Sequence, residues 1–200
     1  MTPVMRLAAF LGALVMVPAC QRDTFDWHGK EDVLVSKSAV EQKDGSVEMR
    51  FVSLIDAPAD ALFHALSDVE RHAEFVDGVK ESRLISVDGK KKVVEITNTV
   101  LGRPNRAKIE WMIDAPSRTM SFRTLEAEFT DNSATYRFEP SPDGRRTRVT
   151  TVYQLRDKGG HPFPLHSLKM AIEDSYVAAV RGVKRRALGE RQVVGPLKGQ

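Results

Sequence analysis

The chain has 200 residues, of which 42% are hydrophobic and 28% are charged, a composition typical of one globular domain. Its formal net charge of +3 is too small an excess to indicate nucleic acid as a partner. A single cysteine excludes an internal disulfide and a zinc site built from cysteines.

The first twenty residues have the three parts of a secretory signal. Arg6 supplies the positive start, residues 7–17 are apolar throughout, and the small residue Ala19 ends the run. The apolar run is too short for a membrane-spanning helix, which needs about 20 residues. We therefore expect residues 1–19 to be a signal peptide and the protein to be exported.

The end of this signal resembles the lipobox of bacterial lipoproteins, in which a cysteine is lipidated and becomes the first mature residue. The residues that carry the resemblance are Val17, Pro18, Ala19 and Cys20. It implies lipidation of Cys20, a membrane anchor facing the periplasm and, from Gln21, sorting to the outer membrane. Cleavage without lipidation and a buried N-terminal helix remain as alternatives.

The first elements of the mature chain can be predicted from its patterns. Residues 20–45 are polar and mixed, and we interpret them as a tether, with a short strand at residues 33–35 as an alternative. Residues 47–55 alternate between apolar and polar side chains, which predicts a half-buried strand. Residues 61–75 have the apolar spacing of a helix.

A series of short strands follows, each bounded by turn residues. Apolar side chains recur at every second position in residues 79–87, 92–101, 106–114, 119–125, 133–139 and 148–155. Such spacing predicts a meander of antiparallel strands with one apolar face.

The last long segment, residues 164–188, carries an apolar stripe at helical spacing. A helix of about 25 residues is about 37 Å long and cannot bury this stripe alone. We therefore predict an α+β fold, with a curved antiparallel sheet of about seven strands around the C-terminal helix and a short helical region after the first strand. The domain would span residues 46–190, followed by a flexible tail at 191–200.

The opening of this domain resembles a known superfamily. Residues 55–70 read IDAPADALFHALSDVE, which is similar to the start of START-like, polyketide cyclase and coenzyme-Q-binding (SRPBCC) proteins. Residues 116–122 and 163–165 resemble later parts of the same pattern, so the resemblance covers about residues 46–188. It implies a helix-grip fold around a cavity for a lipid, sterol, quinone or polyketide.

The inward-facing residues of the predicted sheet include polar side chains, which either orient a ligand or hydrogen-bond across the sheet. They are Ser53, Asn98, Thr124, Tyr136, Thr151 and Tyr153. We predict that Asn98 orients a polar end of the ligand. The predicted wall of the cavity consists of Asn98, Trp111, Phe122, Tyr136, Tyr153 and Tyr176.

The leading hypothesis is an exported, lipid-anchored START-like domain that binds or carries a small hydrophobic ligand and works without a cofactor. A cyclase, aromatase-like or hydrolytic enzyme is the first alternative, with Asn98, Tyr136 or Tyr153 as proton donor. A ligand-free structural lipoprotein is the second. No catalytic residue is assigned, nucleic acid is not expected as a partner, and the oligomeric state is left open.

Two further side-chain patterns have both a functional interpretation and a simpler one, a solvated surface. His64, Asp68 and His72 share one helix face at a spacing that suits metal ligands, but we favour a solvated face and predict no metal site. A basic run near the C-terminus could contact anionic lipid, although a solvated helix face is again favoured. The run consists of Arg181, Lys184, Arg185, Arg186 and Arg191.

Overall fold

The structure, a computed structural model, describes residues 25–190. The predicted signal peptide, Cys20 and the tail at 191–200 lie outside these residues. Eight strands form one antiparallel sheet: β1 (Asp32–Glu41), β2 (Val47–Ile55), β3 (Val79–Asp88), β4 (Lys91–Val100), β5 (Arg103–Asp114), β6 (Thr119–Glu126), β7 (Thr130–Pro140) and β8 (Thr147–Asp157). Their order across the sheet is β1-β2-β8-β7-β6-β5-β4-β3.

The helices lie after β2 and after β8. They are α1 (Ala59–Ser67), a short 3₁₀ helix (Val69–Glu74) and the long C-terminal α2 (Leu165–Ala187). The predicted α+β fold, with a curved sheet around a long C-terminal helix, is confirmed. No helix within residues 25–190 is long and apolar enough to cross a membrane.

The additional strand, β1, includes residues 33–35, where a short strand was the alternative, and the interpretation of the rest of residues 32–41 as a tether is corrected. β1 pairs along β2, for example Val40 with Glu48, through backbone hydrogen bonds that need no particular side chains. Most of the strand is exposed, so its sequence does not alternate between apolar and polar residues. Lys37 forms an ion pair with Glu173 of α2, with 2.5 Å between Nζ and Oε1.

The predicted helix over residues 61–75 is divided into two parts. α1 ends at Ser67, and the chain then continues as the 3₁₀ helix to Glu74. Residues three apart share one face of a 3₁₀ helix, and Val69, His72 and Phe75 are all buried at this spacing. The change of helix type therefore turns His72 towards the interior.

The contact between α2 and the end of the 3₁₀ helix requires a glycine. A Cβ atom at Gly182 would overlap the carbonyl oxygen of Phe75 and would approach Val76 Cα to 3.1 Å. Gly182 is buried in the middle of a helical turn, where glycine costs roughly 1 kcal/mol relative to alanine. That cost is offset here because only glycine permits the two backbones to come this close.

The interior between the sheet and the helices α1 and α2 has two ends that differ in how they are packed. At one end α1 and the 3₁₀ helix pack against α2 and the sheet, and we call this the closed end. At the other end lie the β4–β5 turn, the β6–β7 turn and the loop from β8 to α2, and we call this the open end. This arrangement leaves a space between the sheet and the first half of α2.

Candidate functional site: an internal cavity

A cavity of about 600 Å³ lies between the sheet and α2. It is lined by residues of β3 to β8, by α2 and, at the closed end, by Leu66, His72 and Val76. Its volume is within the range of about 300–1,000 Å³ typical of small-molecule sites. The space between sheet and helix that the sequence predicted is therefore present and is not filled by side chains.

Aromatic side chains from neighbouring strands form one wall of the cavity. Trp111 and Phe122 are directly opposite each other on β5 and β6, with 5.0 Å between ring centroids. Tyr136 on β7 lies 6.1 Å from Trp111, and Tyr153 on β8 lies 5.8 Å from Phe122. Strand pairing thus brings together residues that are far apart in sequence, and their rings support one another.

All six residues predicted for the cavity wall line this cavity. Their contact with a ligand stays a prediction. Besides the four aromatic residues of β5 to β8, they are Asn98 and Tyr176. The Asn98 side-chain oxygen accepts a hydrogen bond of 2.9 Å from Asn105 Nδ2. Because this pair lies close to the β4–β5 turn, the polar group predicted to orient a ligand is at the open end.

The tyrosine hydroxyls are protonated at neutral pH, as phenols ordinarily are, since the ordinary pKa is about 10. Burial raises the pKa of Tyr136, Tyr153 and Tyr176 above the ordinary value for a phenol. The side chains of Tyr136 and Tyr153 keep part of their surface accessible, since one side of each ring borders the cavity. Both phenols can therefore act towards a bound molecule as neutral hydrogen-bond donors.

The Tyr176 hydroxyl is used within the core. It lies 2.6 Å from Ser53 Oγ, and Ser53 Oγ donates its single proton to the Val33 carbonyl oxygen. Tyr176 must therefore be the donor to Ser53. Its ring stacks on Phe51 with 4.4 Å between centroids, so Tyr176 joins β1, β2 and α2 while one side faces the cavity.

The other polar residues of the predicted inward set divide into two groups. Ser53 and Thr151 are fully buried and are not among the residues that line the cavity. Thr124 lines the cavity, and its hydroxyl accepts a hydrogen bond of 3.2 Å from the Asn132 backbone N–H. Hydrogen bonds between strands thus account, at least in part, for the polar residues at positions 53 and 124.

His72 lines the cavity at the closed end and was not predicted to do so. It is 5% exposed, so the expectation of a solvated face is wrong for this residue. His64 is exposed, and Asp68 forms an ion pair with Arg186 at 3.1 Å. These three residues do not converge, and no group of potential metal ligands occurs within residues 25–190.

Burial lowers the pKa of His72 below its ordinary value, so the ring is neutral at pH 7. Its Nε2 atom lies 2.9 Å from the Leu66 carbonyl oxygen. A carbonyl oxygen only accepts, so Nε2 carries the proton and Nδ1 carries a lone pair. The period of three in the 3₁₀ helix was the sequence signal that could have placed His72 inside.

The open end of the cavity is marked by apolar residues that line it and are also exposed. Leu101 in the β4–β5 turn is 40% exposed, and Met170 on α2 is 53% exposed. Leu101 has a positive φ of 47°, a conformation that disfavours leucine. Nearby, the Arg103 guanidinium lies 5.5 Å from the centre of the Phe163 ring.

Most of the predicted basic run is paired within the protein. Lys184 contacts Glu31 at 2.7 Å, and Arg186 contacts Asp68. Arg185 contacts Asp77 at 3.3 Å. These pairs agree with a solvated, ion-paired helix face, while Arg191 lies outside the described residues.

Comparisons with known proteins agree with this architecture. A family model described as polyketide cyclase / dehydrase and lipid transport matches residues 46–188. The structure of the Zhui aromatase/cyclase from Streptomyces sp. R1128 is similar, with a TM-score of 0.66 and 20% sequence identity over 76% of this chain and 99% of that chain. No curated protein matches the sequence significantly.

Two further solved structures have the same fold. A START superfamily protein from Mycobacterium smegmatis has a TM-score of 0.62 and 10% identity, covering 71% of this chain and 97% of that chain. The protein TTHA0849 from Thermus thermophilus has a TM-score of 0.62 and 20% identity, with the same coverage of 71% and 97%. At these identities the likeness shows the fold alone.

Proposed function

Because the chain belongs to the polyketide cyclase / dehydrase and lipid transport family, as the START-like pattern at residues 55–70 predicted, we propose that it binds a small hydrophobic molecule. The observation that carries the proposal is the cavity of about 600 Å³ with its aromatic wall. Transfer of apolar ligand surface into it would contribute about 25 cal/mol per Å². The amides at the open end and the imidazole at the closed end are the polar groups that would orient the ligand.

Native mass spectrometry tests this proposal directly. The protein is incubated with a bacterial lipid extract, desalted and sprayed under gentle conditions, and we expect a retained small molecule at one copy per chain. Ala107 on β5 lines the cavity, so Ala107→Phe should fill part of it and reduce retention.

The matched control places the same side chain on the other face of the same strand. Arg106 is exposed, so Arg106→Phe should leave retention unchanged. A protein that retains no molecule, or a lack of difference between the two variants, would contradict ligand binding in this cavity.

Export and lipid anchoring are a separate part of the proposal. They are supported by the basic start, the apolar run and the lipobox-like residues that end in Cys20. The anchored protein would face the periplasm, on the outer membrane, where it would buffer or carry its ligand. Labelling cells with a radioactive fatty acid should mark the wild-type protein and not Cys20→Ser, and equal labelling of both would exclude this anchor.

A second candidate is an enzyme of cyclase, aromatase-like or hydrolytic type that uses the same cavity. It is favoured by the Tyr136 hydroxyl, which has no hydrogen-bond partner among the described residues and is protonated at neutral pH, with a pKa that burial raises further. Asn98 and Tyr153 would be the other candidate donors. Tyr136→Phe should abolish turnover of a polyketide-like substrate while binding is retained; equal turnover would exclude this role.

The third possibility, a ligand-free structural lipoprotein, requires a closed core. The cavity of about 600 Å³ argues against it. Ligand binding therefore remains the function that the geometry supports best.

A further inference from the structure

The closed end of the cavity contains two polar nitrogens that the fold does not satisfy. His72 and Trp111 both line this end, and their rings meet edge to face with 5.8 Å between centroids. His72 is 5% exposed and Trp111 is 4% exposed. Leaving buried polar groups without partners costs free energy, so each such group in a native structure needs an explanation.

One of the two nitrogens is an acceptor. Nε2–H of His72 is occupied by the Leu66 carbonyl oxygen, which leaves the lone pair on Nδ1. No residue between 25 and 190 donates a hydrogen bond to this atom. A group that enters the cavity and reaches His72 therefore meets a hydrogen-bond acceptor.

The other nitrogen is a donor. The indole Nε1–H of Trp111 is buried and has no acceptor in the described part of the chain. The neighbouring side chains on this side are aromatic or aliphatic, including Phe122 and Leu66. This nitrogen has almost no accessible surface, so a ligand in the cavity cannot contact it, and the acceptor on His72 is the polar atom that this end presents to a ligand.

We propose that a hydroxyl group of the ligand occupies this end and donates its proton to His72 Nδ1. This inference rests on the proposed function, since it assumes that the cavity holds a hydrophobic ligand. A hydroxyl combines one donor with acceptor lone pairs. A ketone, an ether or a carboxylate has no proton for Nδ1, and an apolar end leaves Nδ1 unpaired.

The ligand class that follows is an apolar molecule with a terminal alcohol or phenol that enters the cavity first. The amide pair of Asn98 and Asn105 lies near the opposite, open end. It is therefore available to a second polar group of the same ligand. The aromatic wall between the two ends would contact the apolar body.

The test uses two fluorescent probes, 1-hydroxypyrene and 1-methoxypyrene, of which only the first has a hydroxyl proton to donate. Fluorescence titration of the wild-type protein should give a dissociation constant about tenfold lower for the hydroxyl compound, the worth of one well-formed buried hydrogen bond. His72→Gln keeps an N–H that can reach the Leu66 carbonyl but has no acceptor at the Nδ1 position. This variant should bind 1-methoxypyrene as the wild type does and should lose the preference for 1-hydroxypyrene.

The outcomes separate this inference from the proposed function. If both probes bind the wild type equally, or if His72→Gln keeps the preference, the hydroxyl site is wrong while hydrophobic binding stands. If neither probe binds, the proposed function fails together with the inference. Because the preference is first measured on the wild-type protein, the proposal can be rejected even if the variant does not fold.

Discussion

The two ends of the interior are built in opposite ways. At the closed end, backbones approach closely at Gly182 and Phe75, and the surface carries ion pairs such as Arg186 with Asp68. At the open end, apolar side chains such as Leu101 and Met170 are exposed. The difference indicates that tight packing at one end maintains the fold, and the other end is where we propose that a ligand enters.

The strongest test of this comparison is at the closed end. Gly182→Ala should lower the free energy of unfolding by about 3 kcal/mol, because the new methyl group forces α2 away from the Phe75 carbonyl. Chemical denaturation measures this change. The control is Arg181→Ala, at the neighbouring exposed position, which should change the free energy of unfolding by less than about 0.5 kcal/mol. Equal effects of the two variants would show that the backbones can separate at little cost.

A second test addresses the middle of α2, between the two ends. Tyr176→Phe should reduce the free energy of unfolding by about 1 kcal/mol, because Ser53 Oγ loses its donor. The control is Tyr136→Phe, since the Tyr136 hydroxyl has no hydrogen-bond partner among the described residues. If the two variants are equally stable in denaturant, the hydrogen bond to Ser53 does not anchor α2.

The closed end should also make stability depend on pH. Burial lowers the pKa of His72 in the folded protein from the ordinary value of 6.5, so below pH 6.5 the unfolded chain binds a proton that the folded chain does not. The stabilisation from neutral His72 is therefore complete above pH 6.5 and is lost as the pH falls towards the folded-state pKa.

From pH 6.5 to 5.5 the free energy of unfolding should therefore fall, with about 1.4 kcal/mol per pH unit as the upper limit for one proton. Unfolding by urea at both pH values measures it. His72→Gln should remove this part of the pH dependence, and an unchanged slope in the variant would mean that His72 is protonated when folded.

The smallest expected effect is at the open end. Leu101 and Arg118 are the non-glycine residues with positive φ in the described chain, but Arg118 is held by an ion pair with Asp60. Leu101→Asn should raise the free energy of unfolding by about 0.5 kcal/mol, because asparagine tolerates this conformation better.

Arg118→Asn serves as the comparison, because the loss of its ion pair opposes the gain in backbone conformation. We expect no net stabilisation in this variant by thermal unfolding. If Leu101→Asn is destabilising, the exposed leucine at the open end contributes packing that the structure does not reveal.

Much of the fold could be predicted from the sequence because most elements expose one face and bury the other. The strands from β2 to β8 alternate with a period of two, and α2 has a clear apolar stripe, so both were recognised. Of β1, only a short strand at residues 33–35 was considered, as an alternative, because β1 is an edge strand held by backbone pairing and its side chains are mostly exposed.

The cavity wall could be predicted in the same way, since the inward positions of a known sheet are fixed by alternation. His72 was missed because a helical period was applied to a segment that forms a 3₁₀ helix. Gly182 was missed because its role depends on the approach of a distant backbone, which no local pattern reveals.

The position of β1 bears on how the protein should be shortened for experiments. The family match begins at residue 46, after β1, so a protein trimmed to that boundary would lose the strand that covers β2. It would also lose the Val33 carbonyl that accepts from Ser53. Such a fragment would present the edge of β2, whose side chains are mostly buried, in place of the edge of β1, whose side chains are mostly exposed. We therefore expect it to aggregate more readily than a fragment that starts at residue 25.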